Sequence, residues 1–179
     1  FIIPRIVEVC RKLQPSFRMG LVPGIELTHV PPADIVGLAI EARKLGACLV
    51  VVHGETLAEP VASGTNRAAL EAPIDILAPP GLIGDEEAAL AARNGIALEI
   101  SARRGHALTN GHVAKMARKH HATLIVNTDA HAPGDLISRP QADRIAAGAG
   151  LSAVETNAMF ENAAELLAKS LPGGRKEKP

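Results

Sequence analysis

Five short apolar runs, none of them alternating with polar residues, constrain this 179-residue chain more than any other feature. They are Arg18–Leu27 (ending near Glu26), Ala47–Val52, Ile74–Ala78, Ile96–Ile100 and Thr123–Asn127. A strand without alternation is covered on both faces, which is the habit of parallel sheets whose strands are joined by helices. Helical stretches follow the runs in turn: 33–45, one starting near Thr65, Asp85–Asn94, Gly111–His121 and Asp135–Gly148. A further helix is expected at each end, over 1–14 and over Ala153–Ser170. The order predicts one α/β domain over 1–170 with a polar tail over 171–179. A closed barrel and an open doubly wound sheet both satisfy it, and both put functional loops at the C-terminal ends of the strands. No Gly-x-Gly-x-x-Gly or Walker-type loop follows any run, which counts against the nucleotide-binding forms of the open sheet.

Composition narrows the partners. The chain has no Trp or Tyr on which bases could stack, and its 19 basic residues balance 19 acidic ones. Without a global positive field, no nucleic-acid partner is expected. No apolar run reaches the ~18 residues of a membrane span, so no membrane partner is expected either. Cys10 and Cys48 read as reduced thiols and the N-terminus lacks the layout of a signal peptide, so a cytoplasmic location is expected.

The polar residues of interest fall where the strand-end rule puts a site. Glu26, His53, Asp129 and His131 lie at or just past the C-terminal ends of three strands. The last two belong to Asn127-Thr128-Asp129-Ala130-His131, where a strand's two-residue period would project carboxylate and imidazole together. Carboxylates and imidazoles meeting at one rim suit a divalent transition metal. Arg103 and Arg104 follow the fourth run, and either guanidinium is placed to clamp a phosphate. His106 and Glu55 fall in loops of the same rim, and His29 lies just past Glu26. The segment Ser63–Asn66 reads as a helix N-cap. Leu108, Val113, Met116 and Ala117, and later Ala158, Ala163, Leu166 and Leu167, are expected to face the core at helical spacing.

The segments GIELTH, VVHGET, DILAPPGLI, LEISARRGHALTNGH and NTDAHAPGD together resemble the PHP (polymerase and histidinol phosphatase) family of metal-dependent phosphoesterases, most of all its histidinol-phosphatase-like members. The likeness runs over about residues 18–170. It implies a distorted (β/α)7 barrel with up to three divalent ions (Zn, Mn or Fe) at its C-terminal mouth, and hydrolysis of small phosphate monoesters such as histidinol phosphate. Carried over, Glu26 is the bridging carboxylate, His53 the histidine ending the next strand, and Asp129 with His131 the closing pair. These four are the implied catalytic and metal residues, with Arg103, His106 and Glu55 toward the substrate.

Two departures matter. The family's opening His-x-His strand has no counterpart here, and five strands instead of seven make the barrel incomplete at its N-terminus. The ligand of the family's His-Pro-Gly turn is replaced by Pro79, in Ala78-Pro79-Pro80-Gly81, and proline offers a metal nothing. Fewer ions than three are therefore expected. The alternative is a non-catalytic barrel acting as a binding scaffold, for which the PHP-like subunit of RNase P is the family precedent. Open sheet edges predict marginal solubility or pairing of two copies.

Overall fold

The structure, a computed structural model, describes residues 2–171. The polar tail expected over 171–179 lies outside the described residues from 172 onward. Helix α1 (Ile3–Leu13) leads into β1 (Gly24–Leu27), and four β/α units follow. They are α2 (Ile35–Lys44), β2 (Leu49–His53), α3 (Thr65–Glu71), β3 (Ile76–Ala78), α4 (Asp85–Asn94), β4 (Ala97–Ser101), α5 (Asn110–His120) and β5 (Leu124–Asn127). Helices α6 (Arg139–Gly148) and α7 (Ala153–Ser170) complete the described chain. Among the described residues no helix is long and apolar enough to cross a membrane.

All five strands are parallel and lie in the order β1-β2-β3-β4-β5. A doubly wound sheet reverses its strand order at a switch point. This sheet never does, and its consecutive order is compatible with a partial barrel. The register divides the side chains cleanly. Val50, Val52, Leu77, Leu98 and Ile100 join residues of α2 to α5 in the main core. Val51, Ile76, Ala78, Ala97 and Ile125 face the other way, and Ala163 and Leu166 of α7 pack against them. Helix α7 is thus the floor of the concave face. Its Asn162 Nδ2 donates to the Leu124 carbonyl at 2.9 Å, which covers part of the β5 edge.

At the N-terminal end of the strands the polar groups hold one another. Arg43 donates to the Cys48 carbonyl at 2.8 Å and to the Asp75 carboxylate, and Asp75 also accepts from the Val50 N–H at 2.7 Å. At the other end, two loops interlock through glycine. A Cβ on Gly81, where φ is +62°, would lie 1.8 Å from the Glu55 carbonyl oxygen. A Cβ on Gly54 would lie 2.6 Å from that of Pro79.

Several expectations need correction. The first strand begins at Gly24, not Arg18, because Pro23 has no N–H for a ladder. Helix α6 begins at Arg139, since Pro133–Asp135 form a separate 3-10 turn. Leu108 is 73% exposed because it belongs to the 3-10 turn His106–Thr109 and not to α5, whereas Val113, Met116 and Ala117 are buried. Leu167 is exposed, whereas Ala163 and Leu166 pack on the sheet as expected, and Thr156, Met159 and Ser170 are the fully buried positions of α7.

Candidate functional site

The C-terminal ends of β1, β2, β4 and β5 form one mouth, and its residues fall into two groups. On the β1–β2 side, Glu26 and His53 point to the concave face from neighbouring strands. Glu26 Oε1 is 3.1 Å from His53 Nδ1. The ring is 5% exposed, and Nε2 has no hydrogen-bond partner. The bond to Glu26 is the main reason the His53 pKa is raised, against the lowering effect of burial. His29 stacks on His53 with ring centroids 6.5 Å apart, and His106 meets it edge-on at 5.4 Å. Glu59, on the loop after β2, reaches both outer rings: Oε1 is 3.2 Å from His29 Nε2 and Oε2 is 3.8 Å from His106 Nε2. The bond to His29 is the chief cause that lowers the Glu59 pKa, while burial lowers that of His106.

On the β4–β5 side the expected pair Asp129 and His131 does come together, but not through the pleat of a strand. β5 ends at Asn127, and Asp129 takes the left-handed backbone (φ +48°) that reverses the chain. Asp129 Oδ1 then lies 3.5 Å from His131 Nδ1. Asp135 fixes this loop by accepting from the N–H groups of His131 and Ala132, each at 2.9 Å, and those bonds hold its own pKa down. Arg103 sits at the pair, 3.4 Å from Asp129 Oδ2 and donating to the His131 ring. His29 is the second mouth residue with a positive φ, +54°. Left-handed backbone at non-glycine residues is costly and concentrates at functional sites.

Glu55 turns out to serve the scaffold. Its Oε1 accepts from the N–H groups of Gly64 and Asn66, both at 3.0 Å, and so fills the N-terminus of α3 that an anion would need. Asn66 ties the same loops together, accepting from Glu55 N–H at 3.0 Å and donating to the Pro80 carbonyl at 2.8 Å. No hydrogen bond or ion pair joins Arg104 to the pair, in contrast to Arg103.

One residue that sequence reasoning passed over lies under the mouth. Glu99, on the concave side of β4, is 3% exposed; Oε2 accepts from Asn127 Nδ2 at 2.8 Å and Oε1 has no partner. Burial, reinforced by the nearby charges of Asp129 and Glu26, pushes its pKa up to about 7. The signal was a carboxylate inside an otherwise apolar strand, Ala97-Leu98-Glu99-Ile100-Ser101.

The donor chemistry suits a divalent transition ion. A carboxylate that fixes one ring nitrogen of a histidine and leaves the other bare is the usual support of a metal ligand. The spacing is looser than the chemistry: among the described residues no three His, Cys, Asp or Glu side chains are already gathered as a metal site. Instead they lie in pairs, Glu26–His53 and His29–Glu59 hydrogen-bonded, Asp129–His131 and Glu59–His106 as looser ion pairs.

No protein-family profile matches the chain. It is 48% identical over 143 residues to an uncharacterized protein of Methanocaldococcus jannaschii. That match covers 79% of this chain and 64% of the relative, so the chain spans just under two thirds of the relative's length. Among solved structures it is similar to a chain in the cryo-EM structure of an archaeal ribonuclease P with mature tRNA. There the TM-score is 0.75 at 17% identity, covering 100% of this chain and 86% of that one. It is also similar to an amidohydrolase crystal structure, with a TM-score of 0.62 at 18% identity over 90% of this chain and 46% of that one. Identities so low speak for the fold alone. The first likeness nevertheless overturns the exclusion of nucleic acid. A chain of this fold belongs to a particle solved with tRNA, so balanced charge and missing Trp and Tyr do not rule such a partner out.

Proposed function

We propose that this chain carries the mouth of a PHP-type β/α barrel and hydrolyses phosphate esters with the help of divalent metal, small monoesters such as histidinol phosphate being the substrate class. The observation that carries the reading is the His53 ring, buried, oriented by Glu26 through Nδ1 and bare at Nε2. A scaffold gains nothing from a buried imidazole with an unpartnered nitrogen, which costs about 1–3 kcal/mol. Glu26, His53, Asp129 and His131 would hold the ion (Zn, Mn or Fe). Such an ion supplies a low-pKa water and neutralises charge on the phosphoryl oxygens.

The chain's own residues account for the rest. Arg103 is a five-donor fork at the rim, matched to phosphate oxygens. Asp135 keeps the Asp129–His131 loop in place, and Asn127 orients Glu99 beneath the mouth. Glu99, with its pKa pushed up to about 7, holds a proton near neutral pH at the base of the cavity. The test is metal content by mass spectrometry on the purified chain and on His53→Ala, followed by phosphate release from histidinol phosphate and p-nitrophenyl phosphate. Bound metal and turnover are expected, with turnover lost and bound metal reduced in the variant. A chain that binds no metal at excess zinc or manganese ends the reading.

A second reading is a scaffold that works with RNA. Two observations favour it: Arg103 lies against the Asp129–His131 pair where an ion would sit, and Pro79 stands in place of a family ligand. The fold likeness to a ribonuclease P chain adds support. Binding of tRNA by the metal-free chain, undiminished in His53→Ala, would favour this reading.

A further inference from the structure

The phosphoesterase reading assigns nothing to His29 or Glu59 and sets His106 only toward the substrate, yet these residues join three loops. His29 follows β1, Glu59 follows β2 and His106 follows β4, with the buried His53 ring between them. We propose that His29, Glu59 and His106 form a transition-metal site of their own, separate from the Asp129–His131 pair.

Geometry supports this. Two ligands bound at about 2.0–2.1 Å in a tetrahedron lie roughly 3.3 Å apart. The Glu59 oxygens are 3.2 Å from His29 Nε2 and 3.8 Å from His106 Nε2, so one carboxylate separates two imidazole nitrogens at near-ligand spacing. The gathering of three donors is not complete in this structure. Glu59 and His29, however, have about half of their side chains exposed and are free to turn toward a shared ion.

A second observation comes from His106. The residue is 4% exposed, Nδ1 has no partner, and Nε2 stops beyond hydrogen-bond reach of Glu59. A buried imidazole nitrogen without a partner is unfavourable in a simple structural clamp, and the other nitrogen, Nε2, is aimed at the Glu59 carboxylate.

The experiment titrates the full chain with Co²⁺ alone, following visible absorption and stoichiometry. The comparison uses two sets of variants, with circular dichroism to confirm folding. Glu59→Gln and His29→Ala, both at exposed side chains, are expected to weaken binding at this site by ten- to a hundredfold each. The double variant Asp129→Asn/His131→Ala is expected to leave it within twofold. Full-strength binding in Glu59→Gln and His29→Ala overturns the proposal, as does loss of all binding in the double variant, which would mean one shared site. Because Asp129 and His131 lie outside the proposed site, their failure to bind metal would end the phosphoesterase reading and leave this one standing.

Discussion

The two ends of the sheet handle buried polarity in opposite ways. At the N-terminal end, Arg43, Asp75, Cys48 and Val50 satisfy one another, and Arg43 Nε alone is left over. At the C-terminal end, His53 Nε2, Glu99 Oε1 and His106 Nδ1 are buried without partners, as are the hydroxyls of Thr56 and Thr109. The strands and helices are the same, so the difference is not one of fold. One end is closed chemistry that holds the sheet; the other leaves several buried polar atoms without a protein partner.

This contrast can be broken experimentally. The largest effect is expected from Gly81→Ala. The added Cβ collides with the Glu55 backbone and the residue loses its left-handed freedom, so the loops under the mouth separate at a cost of roughly 4 kcal/mol, read from urea unfolding. Next comes Asp75→Ala, which removes the carboxylate partner of Arg43 and the acceptor of the Val50 N–H and costs about 3 kcal/mol. It should leave metal affinity at the mouth unchanged, because the network is at the opposite end.

Glu99→Gln should act in the other direction. With a folded pKa of about 7 against 4.5 in the unfolded chain, Glu99 binds an extra proton in the folded state between those values. Its stabilising effect is therefore present at pH 4.5 and lost as pH rises toward 7, a fall of roughly 3 kcal/mol. Glutamine cannot ionise, so the variant should be about 2 kcal/mol more stable than the parent at pH 8 and should lack most of that slope. His53, whose pKa is also raised, gives a smaller fall of the same sign above pH 6.5 that survives in the variant. Denaturant midpoints at pH 5 and pH 8 decide it. The smallest effect is Glu55→Gln, about 1 kcal/mol from a weakened cap on α3, with no change in KM for a phosphate ester. A several-fold rise in KM would restore Glu55 to the substrate.

The scaffold was legible because helices with clear ends announce themselves. Helix α4 begins at three acidic residues and stops at Gly95 in left-handed backbone, and its expected bounds match those found. Helix α7 is equally plain, opened by Ser152 and Glu155 in a capping box. Leu108 was misjudged because helical spacing was extended into a 3-10 turn, where the spacing differs. At the mouth, Glu26, His53, Asp129 and His131 were visible as polar ends of apolar strands. Glu59 was not, since it sits on an irregular loop where no period relates it to anything. Glu99 was overlooked because five residues of β4 are buried in a row, and an apolar reading of that run hides which face the carboxylate takes. Loop contacts and facing are three-dimensional facts that a linear pattern does not carry.

The placement of α7 has a consequence for the order of assembly. Every strand pairs with the one made just before it, so the sheet can grow as each β/α unit is completed. The concave sides of Val51, Ile76 and Ala97 nevertheless wait for Ala163 and Leu166, at the far end of the described chain. Until that helix docks, the strands are formed but wet from below, and the mouth has walls without a floor. A contact between segments far apart in the described chain is then also the one that dries this face, and any molecule that holds the unfinished sheet competes with α7 for the same apolar surface.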